Sequence, residues 1–309
     1  MNSENKNKYG KVAVLMGGLS AEREISLKSG QVVLDALLAS GVDAHKVDVN
    51  KDIIQDLIAG KFDRVFNMLH GRQGEDGVIQ GALELLGLPY TGSGVLASAI
   101  GMDKLRTKEI WLANGMATPA FLTLNHETKA EDVVKVLGLP LIVKPFKEGS
   151  SIGMSKVSDI SEMKPAMELA LQYDNDVLAE KWIEGDEYTA AIVSNESLPL
   201  IRLETDNTFY DFDAKYVSDA TQYHCPCGLD DKEEDRLKML AKKAFDAIGA
   251  SGWGRVDMML DASGESYLIE VNTLPGMTDH SLVPMAAKQA GYDFKTLVLN
   301  ILDTSFLDK

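Results

Sequence analysis

The chain has 309 residues, 45% of them hydrophobic and 25% charged, the balance of a globular protein long enough to bury more than one core. Its formal net charge of −16 excludes a general affinity for nucleic acid or anionic membrane, although a local group of lysines can still hold phosphate inside an acidic body. The first residues are polar, and the apolar run Val12 to Met16 is too short for a secretion signal or a membrane span, so a cytoplasmic protein is expected. Cys225 and Cys227 flank Pro226. A zinc site there with His224 would lack a second ligand pair, and reduced thiols are the simpler reading.

Lys11-Val-Ala-Val-Leu-Met16 ends in Gly17-Gly18 and reads as a strand buried on both faces. Ser20 is placed to cap a helix whose apolar positions Ile25, Leu27, Val32, Val33, Ala36 and Leu37 share one face, with a stop at Gly41. A strand over 44–49, a helix over 53–58 and a strand over 64–69 continue the alternation. They predict a parallel sheet with helices on both sides, the α/β N-terminal domain of residues 1–100. A glycine-rich stretch, 87–94, approaches the boundary, and one helical stretch over 98–114 leads into a central α+β unit, 101–185. That unit carries a strand over 139–145, a loop over 146–153 and a strand over 176–182. The last unit, 186–309, begins with strands over 188–193 and 198–202. A polar segment over 204–228 follows, long enough to be a lid. A helix over 232–248, a hairpin and two helical stretches complete the chain.

The hairpin Gly254-Arg-Val-Asp-Met-Met-Leu-Asp-Ala-Ser-Gly-Glu-Ser-Tyr-Leu-Ile-Glu-Val-Asn272 is the most informative stretch. A two-residue turn at Ser263-Gly264 sets Ala262 opposite Glu265, Met259 opposite Leu268, Asp257 opposite Glu270 and Arg255 opposite Asn272, all on one face. Two directly opposed carboxylates repel each other unless a cation sits between them. Asp257, Glu270 and Asn272 are hard oxygen donors suited to Mg²⁺ shared with phosphates. The alternative is a solvated outer face, with Val256, Met258, Leu260, Tyr267, Ile269 and Val271 toward a core. The loop Lys147-Glu-Gly-Ser-Ser-Ile-Gly153 follows the strand bearing Lys144 and can bring backbone N–H groups to phosphate, although by itself it reads equally as a plain hairpin turn. Glu180-Lys-Trp-Ile183 can accept from a purine while packing on it. Glu22, His70, Lys215-Tyr216 and Ser281-Leu282 beside Gly276 are dispersed polar candidates. His70, following a buried parallel strand, falls at the carboxyl edge where open α/β sheets bind ligands.

Together, Gly17-Gly-Leu-Ser-Ala-Glu-Arg-Glu-Ile-Ser26, His70-Gly-Arg-Gln-Gly-Glu-Asp-Gly77, Leu88-Pro-Tyr-Thr-Gly-Ser-Gly94, Met102-Asp-Lys104, Lys144-Pro145 with Glu148-Gly-Ser-Ser151, Ala214-Lys-Tyr216, Gly254-Arg-Val-Asp257 and Glu270-Val-Asn-Thr-Leu-Pro-Gly-Met-Thr278 resemble the D-alanine–D-alanine ligase family of the ATP-grasp superfamily. The resemblance spans nearly the whole chain. It implies an N-terminal Rossmann-like domain before a two-subdomain ATP-grasp fold, with ATP, Mg²⁺ (or Mn²⁺) and two D-alanine molecules as ligands, and a homodimer. It implies two metal ions on Asp257, Glu270 and Asn272, phosphate binding by Lys104, Lys144, Lys215 and Ser151, and adenine and ribose binding by Glu180, Lys181, Trp182, Ile183, Glu187, Phe209, Met259 and Ile269. Simple alternation turns Ile269 away from Asp257, against that last role. The resemblance further implies Glu22 for the first ammonium with His70 nearby, and Ser150 with Tyr216 joining Glu22 over the site. Arg255 and Gly276 N–H would stabilise the oxyanion, and Lys215, Ser281 and Leu282 would hold the second carboxylate. A tyrosine at 216 goes with peptide rather than depsipeptide formation. Another ATP-grasp ligase would lack this substrate set, and a non-catalytic nucleotide binder would lose Arg255 or a metal ligand. A nicotinamide dehydrogenase is excluded because the first strand–helix turn lacks Gly-x-Gly-x-x-Gly.

Overall fold

The computed structural model describes residues 5, 8–149, 151–205, 221–278 and 280–308. Its first sheet has strands β1 (Lys11–Gly17), β2 (Asp43–Val49) and β3 (Arg64–Asn67), all parallel in the order β2-β1-β3. The central strand β1 is covered on both sides, with Val12 to Met16 fully buried, which is why it reads as a continuous apolar run rather than an alternation. Helix α1 (Arg23–Ala39) follows β1, α2 (Ile53–Gly60) follows β2, and α3 (Val78–Leu85) follows β3. Ser20 does not cap α1: the N-cap is Glu22, and the Ser20 hydroxyl donates to the His70 carbonyl instead. Its buried face includes Ser26, Ser29 and Gly30 beside Val33, Leu34, Ala36 and Leu37. The Ser26 hydroxyl donates to Met68 O and accepts from Gly17 N–H, so a polar group inside the core stays satisfied.

The helical stretch expected over 98–114 is two helices, α4 (Val95–Met102) and α5 (Lys104–Ala113). Asp103 separates them: its extended backbone ends α4, and its carboxylate caps α5 by accepting from Arg106 N–H. This break starts a new helix at Lys104. A second, four-stranded antiparallel sheet has the order β4-β7-β5-β6, formed by β4 (Phe121–Leu124), β5 (Leu141–Pro145), β6 (Ser155–Val157) and β7 (Val177–Lys181). Helices α6 (Ala130–Leu137) and α7 (Met163–Ala170) cover one face around Val133, Leu137, Met163 and Ala166.

The third sheet runs β11-β10-β8-β12-β13, with β9 also pairing β8. Its strands are β8 (Gly185–Val193), β9 (Glu196–Ser197), β10 (Ile201–Glu204), β11 (Gln222–His224), β12 (Trp253–Asp261) and β13 (Ser266–Asn272). The segment expected as one loop over 204–228 thus contains a strand, antiparallel to β10; residues 206–220 lie outside the described ones. Helix α8 (Asp231–Ala247) lies across this sheet, burying Leu237, Ala241, Ala244 and Phe245 against Val256, Met258, Leu268 and Val271. The C-terminal helices α9 (Leu282–Gln289) and α10 (Phe294–Asp303) share a core with α1 and β1, joining Val283 and Ile301 to Val33 and Val14. Each fully buried side chain of this size contributes about 1.5–3 kcal/mol, so this core ties the two ends of the chain together.

Gly254 marks where α8 presses closest: a Cβ there would stand 2.5 Å from a Phe245 ring carbon and 2.8 Å from Asn272 O. Gly254→Ala is expected to cost about 1–3 kcal/mol by overpacking, read as a lower midpoint in urea or thermal unfolding.

Candidate active site

The β12–β13 hairpin departs from the expected register in two places that cancel. The loop is Ala262-Ser263-Gly264, with Asp261 N–H bonded to Glu265 O, Gly264 N–H to Asp261 O, and Gly264 at φ +84°. That is one residue longer than a two-residue turn, with the glycine taking the left-handed position. Ala262 therefore does not face Glu265, and Met259 pairs with Tyr267 rather than Leu268. A bulge at Ile269, between Leu268 and Glu270, restores the count, so Asp257 pairs with Glu270 and Arg255 with Asn272 as expected. The bulge also exchanges two side chains. Leu268, expected on the site face, is fully buried in the α8 core. Ile269, expected toward that core, lines the site cavity with Met259, where the family resemblance requires it.

Two cavities meet over this hairpin. The larger, about 350 Å³, lies between the second and third sheets and is lined by Lys104, Lys144, Ser151, Glu180, Lys181, Trp182, Ile183, Glu187, Asp257, Met259, Ile269 and Glu270. The smaller, about 90 Å³, opens toward the carboxyl edge of the parallel sheet and is lined by Glu22, His70, Lys104, Gly149, Arg255, Glu270, Asn272, Gly276, Ser281 and Leu282. Lys104 and Glu270 line both. Ser150, Phe209, Lys215 and Tyr216 lie outside the described residues; every other candidate from the sequence lines one cavity or both.

Lys104 opens α5, and its ammonium donates to Glu148 O at 2.7 Å and stands 3.5 Å from Glu270 Oε2. It thereby ties the 146–153 loop to the hairpin. In that loop Ser151 has φ +59°, a left-handed conformation uncommon outside glycine. Arg255 Nε and Nη2 donate to the two oxygens of Asp257 at 2.8 and 2.7 Å, a bidentate pair of side chains only 12% and 9% exposed. Thr189, opposite Asp257 in the register, donates to the same carboxylate.

His70 is buried, with Nδ1 3.4 Å from Glu75 Oε1. Burial is the largest single influence and opposes its protonation, but the Glu75 carboxylate, the Glu22 charge and the Leu274 backbone together outweigh it, and the imidazole is held above its ordinary range. Gly276 lies close to Ser281: a Cβ there would stand 3.0 Å from Ser281 Oγ and displace it slightly, and that oxygen also accepts from Thr278 N–H at 2.9 Å. Both cysteines are free, and burial pushes the Cys225 thiol up to about 11, as expected of an unreactive thiol.

The residues at Asp257, Glu270 and Asn272 fit a divalent cation. Two carboxylates share one face across a strand pair, and the Asn272 amide oxygen accepts from Leu274 N–H at 3.1 Å, one of the two lone pairs an amide oxygen carries. Among the described residues no cluster of three or more His, Cys, Asp or Glu stands as an alternative metal centre.

Sequence reasoning missed Lys108. It is fully buried in α5, 3.1 Å from Glu180 Oε1, and Lys144 Nζ stands 2.9 Å from the same oxygen. Burial alone would raise the Glu180 carboxyl, yet Lys108 and Lys144 together hold it below the usual range. Lys108, sharing one anion with a second cation, is pushed by burial down to about 8. The readable signal was spacing: Lys104, Thr107, Lys108 and Trp111 fall at i, i+3, i+4 and i+7, one helix face, and Thr107, Lys108 and Trp111 are buried.

An N-terminal parallel-sheet domain followed by two α+β layers, with lysines and an acidic antiparallel hairpin facing the cavity between them, defines an ATP-grasp protein. A family model described as D-ala D-ala ligase C-terminus matches residues 110–303, and one described as D-ala D-ala ligase N-terminus matches 54–93. A D-alanine–D-alanine ligase from Methylococcus capsulatus is 58% identical over 303 residues, covering 98% of each chain. One from Stutzerimonas stutzeri is 55% identical, covering 98% of this chain and 96% of its own. The crystal structure of a D-alanine–D-alanine ligase from Bacillus anthracis superposes with a TM-score of 0.86 at 36% identity, covering 96% of this chain and 97% of that one. The VanG D-Ala:D-Ser ligase from Enterococcus faecalis superposes at 0.83 with 29% identity, covering 96% and 99%. The chain belongs to the D-alanine–D-alanine ligase family.

Proposed function

We propose that the protein uses ATP to join two D-alanine molecules, releasing D-alanyl-D-alanine, ADP and phosphate. The observation that carries this reading is that Lys104 and Glu270 line both cavities, so a γ-phosphoryl group entering from the larger meets a carboxylate held in the smaller. The larger cavity is of a size for a nucleotide. Glu180, Lys181, Trp182, Ile183, Glu187, Met259 and Ile269 take the base and ribose, and Lys104, Lys144 and Ser151 take the phosphates. A solved relative, the Bacillus anthracis ligase complexed with ATP, superposes at a TM-score of 0.84 with 34% identity.

In the smaller cavity Glu22 binds the ammonium of the first D-alanine beside His70. The carboxylate of that first D-alanine attacks the γ-phosphorus, breaking the bond to ADP and giving D-alanyl phosphate, while Lys104 offsets charge on the transferring oxygens. The amine of the second D-alanine, its carboxylate held by Ser281 and Leu282, then attacks the acyl carbon. Arg255 and the Gly276 N–H stabilise the oxyanion, and phosphate leaves as the amide forms. Mg²⁺ ions held by Asp257, Glu270 and Asn272 would supply charge neutralisation at the phosphates.

Two further points extend this reading. Val78 and Leu85 of α3 and Leu96 of α4 are exposed at 60%, 92% and 71%, an apolar surface suited to the homodimer; sedimentation at a monomer mass across micromolar concentrations would exclude it. The protein works in the cytoplasm, where ATP is available; among the described residues no helix is long and apolar enough to cross a membrane.

Phosphate release from ATP and Mg²⁺ tests the function, with D-alanine alone, L-alanine, or D-alanine plus D-serine or D-lactate, and the product identified by mass. Release coupled to D-alanyl-D-alanine and absent with L-alanine is the expected result. ATP binding with no dipeptide would sink the reading.

A further inference from the structure

Lys108 has no part in the reaction as derived, yet it is the better-buried lysine of the pair at Glu180. Its ammonium, 0% exposed, stands 3.1 Å from Glu180 Oε1 and donates to Thr118 Oγ1 at 2.6 Å. The Thr118 hydroxyl donates onward to Leu268 O at 2.7 Å, anchoring the group on the backbone next to the Ile269 bulge. Burying an ammonium costs several kcal/mol unless its partners repay it. The same helix face accepts the apolar Trp111 one turn on, so packing does not by itself demand a charge at 108.

What the charge does is set the state of Glu180. Both ammonium groups approach Oε1, so Oε2 is the oxygen they leave to the cavity that Glu180 lines. An ionised carboxylate only accepts hydrogen bonds, whereas a protonated one also donates. In a site where Glu180 is 4% exposed, burial favours the neutral acid, and a single counter-charge opposes it less than two do. We propose that Lys108 is a positioning residue for base selection: with Lys144 it fixes Glu180 as an ionised acceptor that takes a hydrogen bond from the 6-amino group of adenine and repels the 6-oxo group of hypoxanthine or guanine. The proposal rests on the reading of the larger cavity as the ATP site.

The test compares kcat/KM for ATP and for inosine triphosphate at saturating D-alanine in wild type and Lys108→Met. The ATP preference is expected to fall about tenfold to a hundredfold, since sites built around a specific hydrogen bond discriminate by large factors. The loss falls on KM for ATP, with KM for D-alanine unchanged, a split that general loosening of the fold would not give. Thr118→Val removes an acceptor of Lys108 while keeping every charge, and is expected to move the preference in the same direction by a smaller factor. If Lys108→Met does not fold, this variant decides the matter. In a Glu180→Gln background, Lys108→Met is expected to leave the preference where Glu180→Gln put it. An unchanged preference in folded Lys108→Met, or in Thr118→Val, overturns the proposal while leaving the ATP site standing. Failure of the wild type to bind either nucleotide overturns both.

Discussion

Arg255→Ala is expected to lower kcat by about 10²–10³, the usual loss on removing one oxyanion donor, with KM for ATP changed far less. The side chain borders the smaller cavity and is held by two bonds to Asp257 at 2.8 and 2.7 Å, so its guanidinium is oriented before substrate arrives. Preorganisation of this kind is what gives a charged donor its leverage in a site shielded from water. Arg255→Lys separates charge from geometry: it keeps the cation but loses the planar fork that binds both carboxylate oxygens. It is expected to recover only part of the loss. Single-turnover phosphate release places the defect. A variant that still cleaves ATP once per site but forms no dipeptide has lost the second step, as expected. One that cleaves no ATP would show that Arg255 acts already in phosphoryl transfer.

Asp257→Asn is expected to be as severe, on the order of 10² or more in kcat, because charge neutralisation at transferring phosphates is worth several kcal/mol. The amide preserves the shape of the side chain and can still accept from Thr189. It removes the negative charge that pairs Arg255 and faces Glu270 across the strands. Two readouts separate the consequences. Mn²⁺ titration followed by electron paramagnetic resonance, with ADP present, should show weaker cation binding, which a purely structural role would leave intact. The thermal unfolding midpoint should also fall, because Arg255 at 12% exposure would lose the carboxylate that holds it by two bonds, and breaking a buried pair by removing one partner is destabilising. Unchanged Mn²⁺ affinity would take Asp257 out of the metal site.

Much of the fold was legible because its signals are local. β1 carried a buried-strand signature, since both its faces are covered and Val12 to Met16 are all fully buried and apolar. Gly41 and Asp230 mark helix ends by conformations and hydrogen bonds made within a few residues: Gly41 has φ +80° and Asp230 caps α8. The opposition of Asp257 to Glu270 was also readable, because the longer turn and the bulge at Ile269 each shift the register by one residue and cancel. A longer turn and a bulge have no strong mark in residue type, because Ala262 and Ile269 suit an extended strand as well as they suit a loop or a bulge. The split of 98–114 at Asp103 was legible in principle, as Asp before a helix is a capping signal. It was hidden by the apolar periodicity that runs through it.

From the sequence alone came the parallel N-terminal sheet, the acidic hairpin, the loop after Lys144 and the family, because each rests on residues close in the chain and on motifs that occur in order. Only the tertiary structure decided which side of the hairpin Ile269 and Leu268 take, that Lys104 and Glu270 are shared by two cavities, and that Lys108 joins Lys144 on one oxygen of Glu180. These depend on where a bulge restores a register and on contacts between residues 36 to 166 positions apart along the chain. No local propensity encodes such distances; they are set by which surfaces the packed layers bring together.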